Sequence, residues 1–472
     1  MRVRLFEDID ITARVLNIPR ESATWNNIDG LIAPVRDVDV LNSDGLYSPN
    51  STNSIFSDDS YRNKFIEIFN DDDNLIYKGL IEDVTQKISE EGQNVVTIHS
   101  RDALGSFLNW PVAAGANING ISTNASRTAG QNTLQIPDTV PISAGAVVST
   151  SAAKIPSYEV KSVVTGGGNQ LLTLDRGLEQ DIASSTPLFF SLPEITTIPK
   201  ALMDAFYTPL AYYGLTSLLG SSFDALHVQD LANGRTIRNF VRREEGVEMS
   251  KHIGKLLEMG SYNLTRSDNG VFEIVDRLAY DGEALLESIE DADIFGAVES
   301  IDDKSRLNYA FSMLYLDGAV AKLLEYDLQY GYGVGEVPQF EPGLTADLIE
   351  KAGATKPYKP VVWSSSSLSG YNYLYGSLES ARYYGLKRLN YSAYKRKSYK
   401  INIKPFKSGN PDAPINLSYF KKMLLNLTID ENESYTNEPV IVLAYEKDPE
   451  TGAYNNVVIE LTNKPTPGLP VP

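Results

Sequence analysis

The chain has 472 residues, 42% hydrophobic and 22% charged, which is ordinary globular composition but too long for one core, so several domains are expected. Acidic residues outnumber basic ones, 61 to 42, for a formal charge of −19, which disfavours general binding to nucleic acid phosphates. The absence of cysteine excludes disulfides, thiolate metal sites and a cysteine nucleophile. No apolar run reaches the roughly 20 residues of a membrane span, and Met1-Arg2-Val3-Arg4-Leu5 lacks the apolar stretch of a secretory signal, so membrane insertion is not expected and folding in a cytoplasm is.

Residues 1–108 read as a β domain of short strands punctuated by turns, a barrel or a sandwich. Phe65–Phe69, Leu75–Ile81 and Val95–His99 are short β-former runs, and Asn70-Asp71-Asp72-Asp73-Asn74 is a turn between the first two. Residues 109–193 lose charge and gain Ala, Gly, Ser, Thr and Asn. Five runs, Thr133–Ile136, Ala146–Val148, Tyr158–Val163, Leu171–Leu174 and Leu188–Phe190, with Gly166-Gly167-Gly168 as a loop, predict an inserted small β-barrel. Residues 194–300 read as mixed α+β. Pro199 fits a helix start, and Met249, Ile253, Leu256 and Leu257 form one apolar stripe on a helix over about 247–258, with Gly260 expected as its cap. A hairpin follows, Tyr262–Thr265 and Val271–Val275 around Asn269-Gly270. Residues 301–400 begin with a strand candidate over Leu307–Tyr315, followed by a loop over Gly331–Pro342. Residues 401–472 read as a C-terminal β segment, with strands at Val440–Leu443 and Val457–Leu461 and a proline-rich tail.

His99, His227 and His252 are far apart in the chain, which argues against a zinc or iron site and for structural roles. Gly331-Tyr332-Gly333-Val334-Gly335 has the wrong spacing for a dinucleotide loop, and Pro338 stands where its helix would begin. From Asp71, a calcium loop would need glycine at its sixth position and glutamate at its twelfth. The chain has Ile76 and Glu82 there, so a solvated turn is the better reading. No cofactor, metal or catalytic residue is expected, and the chain is read as no enzyme. Two surface features remain. Tyr371, Tyr373, Tyr375, Tyr383, Tyr384, Tyr391 and Tyr394 form a cluster that suits a subunit interface or a half-buried core. Lys395, Arg396 and Lys397 form a short basic run in an acidic chain, read as a docking patch for an acidic neighbour in preference to a nucleic acid site.

Four segments carry a resemblance to a known family. They are Tyr61–Asp102, with Gly79-Leu80-Ile81 and the terminal Asp102-Ala103-Leu104; the helix and hairpin of Met249–Asp276; Asp302–Asn308; and Ser377–Gly385. In these the chain resembles the hub, or tail-tip, proteins of long-tailed phages and related baseplates. The resemblance covers about two thirds of the chain and leaves out 109–193 and 401–472. It implies a mainly β, multidomain fold with minor α: two barrel-like domains of the tail-hub type, over 1–108 and 301–400, an inserted small β-barrel and a helix-hairpin α+β segment. It also implies a homo-oligomer, usually a trimer, in the distal tail of the virion. Its partners would be the tail tube or distal tail protein and the spike, fibre or tape-measure protein, with DNA only in transit. A glycan-binding or glycan-cleaving tail protein is the alternative, suggested by the β insert and the many tyrosines.

Overall fold

The computed structural model describes residues 2–17, 26–27, 30–31, 35–49, 51–57, 61–62, 64–69, 73, 75–89, 92–108, 112, 116–139, 142, 146–150, 157–192, 194–212, 214–239, 247–266, 271–276, 287–301, 310–317, 320–327, 331–334, 362–364, 373–392, 397–417, 421–431, 433–447 and 451–461. The fold is mainly β with a few helices, and its buried apolar side chains fall into four clusters.

The first cluster lies inside a barrel. The strands Val35–Leu41, Asn94–Asp102, Leu75–Ile88, Phe65–Phe69 and Arg2–Leu5 pair antiparallel in that spatial order. Period-two alternation sends Val38, Val40, Val96, Ile98, Ile66 and Ile68 inward. Tyr77 also points inward, its hydroxyl 3.1 Å from Ser100 Oγ, and Gly79 leaves room for that ring: a Cβ there would lie 2.5 Å from the hydroxyl. The barrel is closed by one continuous segment. Its first part, Ile9–Asp10, pairs with Arg2–Leu5 at one edge of the sheet; its last part, Val15–Asn17, pairs with Val35–Leu41 at the other. A tight turn at Thr12–Arg14 makes the corner between them. Asp102 ends the barrel and caps the next turn, its carboxylate accepting from the Leu104 N–H at 3.0 Å.

The inserted unit forms a six-stranded sheet in the order Ala116–Ser122, Pro187–Leu192, Val147–Ser149, Ser157–Gly166, Asn169–Leu174, Thr133–Pro137. Its last strand returns towards its first, where Asn124 N donates to Gln135 O at 2.8 Å. The sequence reading missed Ala116–Ser122, whose asparagines and glycine mask its strand character.

The third cluster draws on two distant stretches. Residues 194–276 supply helices α1 (Ile198–Tyr212), α2 (Ser222–Ala232) and α3 (Met249–Gly260) and the hairpin Tyr262–Arg266/Phe272–Asp276. Residues 310–392 supply strands and helix α4 (Leu378–Ser392). Glu194–Thr196, Ile237–Asn239, Tyr373–Tyr375, Ala310–Asp317, Val320–Asp327 and Gly331–Val334 make one sheet across both stretches. Phe206, Phe223, Ile253, Leu256, Phe272, Phe311, Tyr375 and Tyr384 share its core. Thr197 caps α1, and Glu273 of the hairpin accepts from the Ser222 N–H at 2.9 Å at the start of α2. Gly260, expected as the α3 cap, is instead the last helical residue. A Cβ on it would lie 2.2 Å from the Tyr262 ring, and Ser261 takes the left-handed position at φ 52°. Gly331–Val334, expected as loop, is an edge strand paired with Leu324–Asp327.

The fourth cluster corrects the expected boundaries at 300/301 and 400/401. Residues 310–392 share a core with 194–276, whereas the closed barrel towards the C-terminus is built from 287–301 and 397–461. Its strands run Ile294–Ile301, Ser398–Ile403, Tyr454–Leu461, Glu433–Lys447, Lys422–Asp430 and Ser288–Glu290. The first and last of these are one continuous segment, bent at a turn over Asp291–Asp293, so this sheet too is closed by a single chain segment standing at both edges. The two barrels have the same order. After the closing segment comes a strand that pairs with it, then a three-strand meander whose last member pairs with that strand. The first barrel adds one strand, Arg2–Leu5, before the ring closes.

The corner of the second barrel is held by Asp293, which is 1% exposed. Its carboxylate accepts from the Glu290 N–H at 3.0 Å, the Ser408 N–H at 2.6 Å and Lys407 Nζ at 3.2 Å. Burial alone raises the pKa of this carboxyl, but these donors outweigh it and hold the group below the usual carboxylate value. Asp293→Ala leaves the donors unmet and is expected to cost roughly 2–4 kcal/mol of stability. Urea denaturation of the variant, followed by the tyrosine signal of the second barrel, checks this; an unchanged midpoint contradicts it.

Candidate functional site

The expected interface tyrosines divide by burial. Tyr375 and Tyr384 are fully buried, with rings stacked at 5.5 Å between centroids, and have no surface to offer a partner. Tyr375 OH donates to Met259 O at 3.1 Å. Tyr383 is half-buried; its ring packs edge-on to Tyr384 at 5.1 Å and carries the Arg235 guanidinium 3.5 Å from its centroid. Tyr373 pairs through its backbone with Asn239, and Tyr391 lies in the last turn of α4. Tyr371, Tyr394, Lys395 and Arg396 lie outside the described residues. Tyr375 and Tyr384 thus belong to the third core, with Tyr383 packed against it.

That core contains a polar network that sequence reasoning missed. Asp230, 2% exposed, accepts from Tyr262 OH at 2.9 Å and Tyr384 OH at 2.7 Å, and Arg235 lies 3.5 Å from its other oxygen. Lys387, fully buried, donates to Gly260 O at 2.8 Å and pairs with Asp276 at 2.8 Å, its Nζ 4.2 Å above the Tyr262 ring. Burial above all, with the Asp230 carboxylate adding to it, holds both tyrosine hydroxyls well above their ordinary pKa, so they stay protonated and donate. The network joins α2, the hairpin and α4, so its role is to fix three elements together rather than to offer a nucleophile. The only signal in the sequence was the polar set Tyr383, Tyr384 and Lys387 on one short helix.

Lys397, the described member of the basic run, is exposed and pairs with Glu433 at 2.7 Å. The same Glu433 oxygen accepts from Tyr399 OH and, at 2.6 Å, from Tyr435 OH. Lys397, then Tyr399 and Tyr435, hold the Glu433 carboxyl down to about 2. This clasp ties the chain leaving the third core to the second barrel.

The three histidines have separate settings. His99 bridges Asp37 at 2.9 Å and Thr85 at 2.9 Å on the outside of the first barrel. His227 Nδ1 lies 2.8 Å from Thr197 Oγ1 at the cap of α1, and His252 is buried in α3. The Asp37–His99–Thr85 relay has the order of a hydrolase triad. It lies across three paired strands on the outside of the barrel. Among the described residues no group of three His, Cys, Asp or Glu is placed to hold a metal ion.

No family model matches the chain, and no curated protein matches it in sequence. Among solved structures it is similar to the tail protein of Neisseria meningitidis MC58, at 8% identity and a TM-score of 0.42, over 99% of this chain and 98% of that one. It is also similar to the 43 kDa tail protein of prophage MuSo2 from Shewanella oneidensis, at 8% identity and a TM-score of 0.43, over 98% of each chain. A third is the prophage tail protein gp18 of Listeria monocytogenes EGD-e, at 10% identity and a TM-score of 0.36, over 98% of this chain and 95% of that one.

Tyr384→Phe removes one of the two hydroxyls on Asp230 and is expected to lower stability by about 2 kcal/mol. Lys397→Ala breaks only an exposed pair and is expected to cost no more than about 1 kcal/mol. Thermal unfolding of the two variants side by side tests the order; a larger loss for Lys397→Ala reverses the assignment of core and surface.

Proposed function

We propose that the chain is a structural, non-catalytic subunit of a phage tail tip: a hub, most simply a homotrimer, joining the tail tube to the distal spike or fibres and lining the path of DNA. The observation that carries this reading is the pair of closed barrels with one strand order in a single chain. A ring of n such subunits offers 2n barrels of one kind, so three copies match a tube of sixfold symmetry without further elements. The four quoted sequence segments support the same reading. The net charge of −19 suits a conduit through which DNA slides without sticking, since like charges repel at short range. The proposed units are the first barrel with its exit turn (2–108), the insert (109–193), the third core (194–286 with 302–396) and the second barrel (287–301 with 397–461). In this scheme Tyr371, Tyr373, Tyr391 and Tyr394, with the basic run, remain the candidates for contact with a neighbour; the buried Tyr375 and Tyr384 do not. The tail tube or distal tail protein and a spike, fibre or tape-measure protein are the proposed partners at the two ends.

Light-scattering mass and negative-stain images of the purified chain are expected to give a ring of a few copies. Reversal of Lys395, Arg396 and Lys397 to Glu is expected to reduce the ring to single chains without unfolding them. A wild-type protein that stays monomeric at all concentrations and is absent from virions rules the reading out.

A further inference from the structure

Glu194–Thr196 is the last strand in the sheet of the third core, and among the described residues it pairs only with Ile237–Asn239. Thr196, Ile237 and Tyr375 form one register row across that end of the sheet, and Ile237 and Tyr375 are fully buried in the core. Two residues along each strand, on the same face, comes the row of Glu194, Asn239 and Tyr373. This second row holds acceptors that lack donors. Asn239 is 4% exposed, and its side-chain Oδ1 is buried without a hydrogen-bond partner. Among the described residues no donor or cation pairs with the half-buried carboxylate of Glu194. Burial first, then the Asp204 carboxylate, raises the pKa of Glu194 above its ordinary value. Lys200 acts in the opposite sense, but it is paired with Asp204. Arg238, the register partner of Ile195, belongs to the opposite face of the strands.

We propose that Glu194 and Asn239 are a receptor for a guanidinium and that Arg396 of a second copy of the chain fills it. The inference rests on the ring reading above and names one contact within that ring. Two neighbouring acceptors, one of them a carboxylate, call for N–H donors that carry positive charge; an anion or an apolar side chain leaves both unmet. Register partners have their Cβ atoms about 5 Å apart. A planar guanidinium fork spans that distance, with two N–H bonds to the carboxylate and a third to the amide oxygen, whereas an ammonium directs its donors from a single point. Arg396 is the arginine of the densest basic run in the chain, Lys395-Arg396-Lys397; it lies outside the described residues and enters through its chemistry and its place in the sequence. Lys397, the third member of the run, is already paired with Glu433. The free edge of Glu194–Thr196 offers the incoming segment backbone partners as well. Donor and receptor lie on different parts of the chain, so the contact is head-to-tail, and repeated contacts of that kind close a ring.

A labelled peptide of residues 394–400, titrated with the dilute full chain and read by fluorescence anisotropy, tests the receptor. A second peptide carrying Arg396→Lys keeps the charge and loses the fork. The wild-type chain is expected to bind the first peptide about tenfold more tightly than the second, and Glu194→Gln is expected to remove that preference. In the assembled protein, Glu194→Gln is expected to lower the light-scattering mass towards that of single chains. Equal affinity of the wild type for the two peptides, or an undiminished preference in Glu194→Gln, overturns the receptor. If the variant fails to fold, the two peptides on the wild type decide it. A chain that stays monomeric yet prefers the arginine peptide through Glu194 removes the ring reading and keeps the receptor. Rings that persist in Glu194→Gln, with no preference between the peptides, remove the receptor and keep the ring.

Discussion

The architecture depends on how a sheet edge is disposed of. An open edge presents a row of unpaired N–H and C=O groups that must find partners. Each barrel solves this with one segment that pairs at one edge, turns a corner and pairs at the other. The turn breaks the ladder, so its own polar groups need side-chain partners. In the second barrel they come from the buried Asp293 carboxylate, which gathers two backbone N–H groups and Lys407. In the first barrel the corner is lighter: Thr12 Oγ1 accepts from the Val3 N–H at 2.9 Å, and Asp10 accepts from the Thr12 N–H at 2.9 Å. The second corner is the more buried and the more vulnerable to loss of one side chain.

This solution has a consequence for chain order. The closing segment of the second barrel is complete at Ile301, but its partner strand begins at Ser398. Between them the chain makes the second half of the third core. Neither the second barrel nor the third core can therefore be complete until most of the chain is present, and both depend on contacts of high sequence separation, which fold slowly. The first barrel and the insert, by contrast, are each built from one continuous stretch. The polar network around Asp230 and Lys387 lies where the two halves of the third core meet, and its bonds span 127 and 154 residues in the chain. A buried network of fixed geometry selects one docking of those halves over others that apolar packing alone would tolerate.

What could be read from the sequence follows the same division. Local signals located the three strands of the first barrel between Phe65 and His99, five strands of the insert, the α3 stripe and the hairpin after it, because alternation, helical spacing and turn residues are properties of neighbours; Arg2–Leu5, Val35–Leu41 and Ala116–Ser122 went unread. The second barrel was placed at 301–400 instead of 287–301 with 397–461. A run such as Ile294–Ile301 has weak alternation, is half-exposed, and becomes a barrel strand only through partners a hundred residues away. The tyrosine cluster failed as a site signal for a related reason. Tyrosine suits an interface and a hydrogen-bonded core equally well. Only the carboxylate of Asp230, far away in the chain, decides that Tyr384 belongs to the core. Lys397 likewise read as free charge, although Glu433 meets it across the barrel.

The acidic surplus and the buried cations belong to one electrostatic pattern. Lys387, Lys407 and Lys78 are all drawn inward to carboxylates: Lys78 lies 3.1 Å from Glu67 and 2.8 Å from Glu7 on the first barrel. Each such pair withdraws a carboxylate along with its lysine, so the acidic surplus is left to the remaining, more exposed groups. Such a surface repels copies of itself at long range. In the assembly proposed above, close contact between copies has to come from local features that override the repulsion: an apolar face, a strand, or a basic run. Lys395, Arg396 and Lys397 are the densest basic stretch of the chain, which makes their neighbourhood the place where, in the assembly proposed above, attraction between acidic copies costs least.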